Sequence, residues 1–170
     1  KDHINSPQNL IENIIPLVKE EIVHFEKKYN KRIPVFAAGG IFNGSDIFDI
    51  IKKGADGVQM GTRFVATLEC DAHENFKKEY INCKKEDIVI IDSPVGMPGR
   101  AIFNSFIKKV RSGAKFKINC SWHCLKYCDI KKAQYCIAEA LTNAKKGLVE
   151  KGFAFAGANA YRIKEIISVK

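Results

Sequence analysis

The sequence predicts an α/β fold, and three observations carry that expectation. The wholly apolar run Ile33-Pro-Val-Phe-Ala-Ala38 ends in Gly39-Gly40, which is how a buried parallel strand looks when it enters a tight turn. A second short run, Ala55 to Met60, closes in the same way at Gly61-Thr62. Between them Asn43-Gly44-Ser45 caps a segment carrying Ile47, Phe48, Ile50 and Ile51, and Gly54 stops it. Strand, glycine turn, helix, strand, glycine turn is a βαβ unit, whose crossover is right-handed.

The other elements follow in order. Ser6-Pro7 reads as a cap with proline at the first helical position. Leu10, Ile11, Ile14, Ile15, Val18, Ile22 and Phe25 then recur at helical spacing as far as Tyr29-Asn30, with a kink expected at Pro16. Beyond the βαβ unit, a helix is expected over Ala72 to Cys83 and a strand over Asp87 to Asp92. Ser93 to Gly99 reads as an irregular loop and Arg100 to Val110 as a helix. The Cys-rich segment Cys120 to Cys136 leads into a helix through Ala144, and the small apolar stretch Gly152 to Ala160 precedes the end.

Composition limits the function classes. In 170 residues, 46% are hydrophobic and 28% charged, which are globular proportions and exclude a disordered or fibrous chain. Apolar runs such as Ile33 to Phe42 fall short of the roughly 20 residues that cross a bilayer. The net charge of +9 suits acidic partners. Its lysines, among them Lys27, Lys28, Lys52, Lys53, Lys77, Lys78, Lys84 and Lys85, are scattered over expected helix faces. No aromatic-plus-basic strand or recognition helix accompanies them, so neither nucleic acid nor membrane is the expected partner.

Glycines at the ends of adjacent parallel strands have a physical use. Without Cβ atoms the backbone turns with positive φ and approaches a bound group closely. Its N–H groups then face an anion, helped by the helix N-terminus that follows. In a (β/α)8 barrel the loops after the last two strands are the usual phosphate site. Gly39-Gly40 and Gly61-Thr62 fit that arrangement, with the Thr62 hydroxyl as a further donor; a turn that needs glycine only for tightness reads the same way.

Three stretches are similar to the nitronate monooxygenase family, formerly 2-nitropropane dioxygenase, which includes the FMN-dependent enoyl-acyl-carrier-protein reductase II branch. They are Ile33-Pro-Val-Phe-Ala-Ala-Gly-Gly-Ile41, Gly54-Ala-Asp-Gly-Val-Gln-Met-Gly-Thr-Arg-Phe64 and Ser93-Pro-Val-Gly-Met-Pro-Gly-Arg-Ala-Ile102. The resemblance implies the carboxyl-terminal part of a TIM barrel with an appended, smaller α-rich lobe. Residues 1–86 would be the last barrel units and 87–170 the lobe. It implies that Ala38, Gly39 and Gly40 form one wall of an FMN phosphate site, and Gln59, Met60, Gly61 and Thr62 the other. It places the Ser93 to Arg100 element, with Ser93, Met97 and Arg100, and also Asn159, toward the substrate. It puts a catalytic histidine, in a Gly-Gly-His-x-Gly motif, just before the region matching residue 1. Lys1-Asp2-His3-Ile4-Asn5 lacks those glycines, so His3 is not assigned that role and an amino-terminal barrel half is expected to precede the chain.

The function implied is FMN-dependent oxidation of alkyl nitronates with O2. The alternative on the same scaffold is reduction of an enoyl thioester on acyl carrier protein by NAD(P)H. A reading from another class is a non-catalytic, Cys-rich metal-binding module. Cys120-x3-Cys124-x3-Cys128-x7-Cys136, with His123 inside, matches no common zinc-finger or ferredoxin spacing. Buried thiols, ligands for zinc or an iron–sulfur cluster, and disulfides all remain open there. Bunched rather than dispersed cysteines favour a reducing, cytoplasmic setting. Trp122 and Tyr127 read as packing, and His24 and His73 as helix-surface residues.

Overall fold

The computed structural model describes residues 10–120, 124 and 128–170. His3, Ser6, Pro7, Trp122, His123 and Tyr127 lie outside the described residues. The chain separates into two compact units, residues 1–61 and 62–170. This break falls earlier than the expected boundary at residues 86 and 87.

In the first unit, helix α1 (Ile11–Tyr29) is followed by strand β1 (Phe36–Ala38), helix α2 (Gly44–Lys52) and strand β2 (Gly57–Gln59). The helix α1 is assigned without a break through Pro16, which removes one donor, toward Glu12, inside the helix. It ends where Asn30 turns left-handed (φ 48°) and the Lys31 N–H reaches back to the Glu26 carbonyl at 3.2 Å. At Gly54 (φ 107°), α2 closes in the same way: the Ala55 N–H points back at the Ile50 carbonyl, 3.4 Å away.

β1 and β2 pair in parallel, in the register Phe36↔Gly57, Ala37↔Val58 and Ala38↔Gln59, as the βαβ reading expects. Both strands are shorter than their apolar runs. Pro34 has no N–H to give to a ladder, and Val35 spends its own N–H on a carboxylate described below. Ile15, Ala37, Ile41, Ile50 and Ala55 form the buried core, with Val58 and Met60 packed against it. Gly57 lies opposite Phe36, whose ring occupies the place a Cβ would need, with a carbon 2.5 Å away.

The second unit holds α3 (Thr62–Val65), α4 (Glu74–Asn82), β3 (Ile88–Asp92), β4 (Pro98–Ile102), α5 (Ser105–Arg111) and α6 (Ile137–Lys145). Here the sequence reading needs correction. Residues 98–102, expected as loop and helix, form a strand antiparallel to β3, from Ile88↔Ile102 to Asp92↔Pro98. The helix α5 starts only after Asn104, whose side chain accepts the Ile107 N–H at 3.1 Å. On the far edge of β4, the Ile102 N–H donates to Ala154 and the Ala156 N–H to Arg100, both at 3.0 Å. Lys77 is a second correction: it is buried, and its ammonium donates to the Thr67 carbonyl at 2.6 Å instead of facing solvent.

The core of this unit is aromatic. Phe106 stacks on Phe153 (6.1 Å between centroids) and meets Tyr135 edge-on at 5.2 Å, with Ile91, Ala101, Ile107 and Ala140 around them. The Tyr135 hydroxyl is buried with no hydrogen-bond partner among the described residues, and burial pushes its pKa up to about 12. Among the described residues no helix is long and apolar enough to cross a membrane.

An orphaned buried hydroxyl costs roughly 1–3 kcal/mol of desolvation. Tyr135→Phe is therefore expected to leave stability unchanged or raise it by up to about 1 kcal/mol in denaturant unfolding. A loss of more than about 1 kcal/mol would mean that the hydroxyl has a partner in solution.

Candidate functional site

The site begins with the carboxylate that sets the strand ends level. Asp56, immediately before β2, accepts the Val35 N–H at 2.8 Å and the Lys19 ammonium at 3.3 Å, and also pairs with Arg32. Its own N–H donates to the Val35 carbonyl at 2.8 Å. These bonds tie α1, the approach to β1 and the start of β2 to one side chain. The Val35 amide first, then Arg32, hold its pKa down to about 2. Sequence reasoning missed this residue: the carboxylate near the start of an apolar strand run is visible, but its distant partners are not.

From that register the two strands end side by side; β1 runs straight into glycine and β2 reaches one after Met60. Gly39 (φ 101°) and Gly40 (φ 76°) follow β1; Met60 and Gly61 follow β2. A Cβ built on Gly39, Gly40 or Gly61 would meet no atom within 4 Å. Positive φ explains glycine at the first two positions. At Gly61, where φ is not positive and the space is open, the chain itself does not demand glycine. Ala38 and Gln59 are exposed at the strand ends, whereas the Met60 side chain packs on the Ile15–Ile50 core and leaves its backbone at the rim.

The α2 N-terminus is answered in part by its own side chains. A capping box sits there: Asn43 accepts the Asp46 N–H at 2.9 Å, and the Asp46 carboxylate accepts from Phe42 at 2.8 Å and Asn43 at 3.2 Å. An acidic side chain thus offsets part of the positive charge of the helix end. The glycine turns are the opening this unit offers an anion. An open backbone cradle with room where side chains are missing suits a phosphate group, so the residues present fit an FMN phosphate.

In the second unit the Thr62 hydroxyl accepts the Gly157 N–H at 2.9 Å and retains its own proton for donation. Gly157 belongs to the stretch that runs along β4 beside Arg100, and Asn159 lies two residues further on. Thr62 and the Arg100 backbone thereby bond to neighbouring residues, Gly157 and Ala156, of the stretch that carries Asn159, a link that sequence reasoning did not foresee. Ser93 and Met97 sit instead in the β3–β4 turn, where the Ser93 hydroxyl accepts the Val95 N–H at 3.3 Å and Met97 is exposed.

Three of the bunched cysteines are half-buried and Cys124 is exposed, so the buried-thiol reading fails for this cluster; all six cysteines of the chain are free, so the disulfide reading fails too. Cys124 and Cys128 lie in irregular chain, not on a shared helix face. Cys120, Cys124, Cys128 and Cys136 line one cavity of about 20 Å³ together with Val95 and Ile118. Burial first, then the charges of the other three thiols, push the Cys128 pKa up. Among the described residues no three donors are gathered at metal-binding distance.

An α/β chain with paired strand-end glycine turns is the class that fold and site define. The nitronate monooxygenase family profile matches residues 6–170, and the chain belongs to that family of oxidoreductases. It is 42% identical over 78 residues to a probable nitronate monooxygenase of Staphylococcus aureus strain Newman, and 41% identical over 78 residues to that of strain JH9. These alignments cover 46% of the chain and 22% of each relative. Among solved structures, FabK from Thermotoga maritima matches with a TM-score of 0.68 at 27% identity, over 94% of the chain and 45% of FabK. The chain thus spans less than half the length of the relatives it matches.

The depressed Asp56 pKa fixes a pH dependence. Its stabilisation is present above the unfolded value near 3.8 and is lost as pH falls toward about 2. Asp56→Asn is expected to destabilise the protein by a constant amount above about pH 5, with the gap to wild type closing as pH falls below about 4. Denaturant unfolding across pH checks this; a gap that stays constant down to the lowest pH at which the protein is folded would contradict it.

Proposed function

We propose that residues 38–40 and 59–62 hold the phosphate of FMN in an oxidoreductase that oxidises alkyl nitronates with O2. The observation that carries this reading is the pair of glycine turns at the ends of adjacent parallel strands, with open space where Cβ atoms would stand. The backbone of Gly39, Gly40 and Gly61 would take the phosphate. Ala38, Gln59 and Met60 would shape the walls, and the Thr62 hydroxyl, next in the chain, would add a donor. FMN, when bound, supplies the redox chemistry by accepting electrons from the substrate and passing them on. This chain's part is to fix the cofactor by its tail. Ser93, Met97, Arg100 and Asn159 are proposed to face the substrate, on the family resemblance.

The barrel architecture is likewise a proposal, supported by the FabK likeness and by what the first unit leaves uncovered. β1 and β2 form a two-stranded sheet among the described residues. Ile14, Leu17, Val18 and Phe25 of α1 are exposed. Further strands and helices of a TIM barrel, from the same or a partner chain, would pair those edges and cover that face.

A second reading, NAD(P)H-dependent reduction of an enoyl thioester on acyl carrier protein, is favoured by the likeness to FabK. The +9 charge would suit an acidic carrier. Two assays on the full-length protein separate the readings: oxygen uptake with a nitronate, and NAD(P)H oxidation with a crotonyl thioester. Oxygen uptake alone supports the first, and NAD(P)H oxidation alone the second.

Gly61→Ala tests the cradle itself. Because the added methyl meets no protein atom, its effect on folding stability is expected within about 0.5 kcal/mol. Flavin affinity should fall at least about tenfold, read by fluorescence titration of the apoprotein. Unchanged flavin binding would place the phosphate elsewhere.

A further inference from the structure

We propose that Cys120, Cys124, Cys128 and Cys136 bind one soft divalent cation, zinc by preference, as a tetrahedral all-thiolate site separate from the flavin cradle. The spacing in sequence does not identify such a site; the fold does. Sixteen residues separate Cys120 from Cys136, the N-cap of α6, yet all four thiols open on one cavity beside the β3–β4 turn. None of the four is committed to a disulfide, and Cys124 is exposed, where a free thiol contributes nothing to a core.

The donor set points to the ion: four cysteine thiols on one cavity are a set that zinc takes tetrahedrally. Four thiolates and no open position describe a structural rather than a catalytic centre. The thiols are gathered but have not converged: no three described donors share a point at ligand distance. Convergence on one ion would be driven by binding itself, since the ligation energy goes into ordering the site. Loading one divalent cation displaces four thiol protons and leaves the centre with two negative charges. Lys131, in the loop after Cys128, and the +9 of the whole chain offset that charge, while Lys132 is paired with Asp129 at 3.6 Å. The site would pin Cys120, Cys124 and Cys128 to the β3–β4 turn, which no strand ladder among the described residues does.

The full-length protein, purified without chelator, should contain about one zinc per chain by elemental analysis, falling below about 0.1 in Cys124→Ser or Cys128→Ser. Flavin content should not change in these variants. Replacing zinc with Co2+ should produce intense thiolate-to-cobalt charge-transfer bands and the visible bands of a tetrahedral centre. If a variant fails to fold, the wild-type protein decides the matter: a chelator should release the metal and raise the reactive thiols by about four per chain, and added zinc should reverse both. Less than about 0.1 metal per chain with no zinc uptake on titration would overturn the proposal. Iron accompanied by acid-labile sulfide would overturn the single-ion assignment.

Discussion

One carboxylate governs the geometry of the first unit. Asp56 accepts from the Val35 amide, Lys19 and Arg32, while its own amide returns a bond to Val35. Those bonds lock the entry of β2 beside the entry of β1. With three residues in each strand, there is no room for the register to drift before the chain turns. Ala38 is therefore opposite Gln59, and the two glycine turns begin at the same height. The core beneath, built on Ile15, Ala37 and Ile50, takes up the Met60 side chain and keeps it off the rim. Local charge pairing, strand register and an open backbone cradle are successive consequences of one side chain.

Much of this unit was legible in sequence because its signals are local. Apolar runs cut by glycine marked both strands, and Asn43-Gly44-Ser45 marked the start of α2. The role of Asp56 was not legible, since its partners Lys19, Arg32 and Val35 lie 37, 24 and 21 residues away. The capping box also sets an acidic side chain, Asp46, against the positive end of α2, which offsets part of the charge an anion there would meet.

In the second unit tertiary context overrode local preference. Pro98-Gly99 reads as loop and Arg100 as the start of a helix, yet all three lie in β4. Proline is tolerated as the first residue of a strand, and Gly99 leaves the space that the Phe155 ring fills. The cap at Asn104 was present in the sequence and, weighed properly, would have moved the start of α5. Lys77 on α4 followed helical charge patterning on paper, but the fold buries its stem and gives its ammonium the Thr67 carbonyl. The cysteines show the same limit, because only the folded chain brings Cys136 to the cavity that Cys120, Cys124 and Cys128 share.

In the proposed function, backbone amides at two neighbouring strand ends grip a phosphate. The decisive measurement is a crystal structure of the full-length protein grown with FMN. Phosphate oxygens are expected within about 2.7–3.2 Å of amide nitrogens in both turns, after β1 and after β2. A flavin seated with its phosphate away from either turn would contradict it.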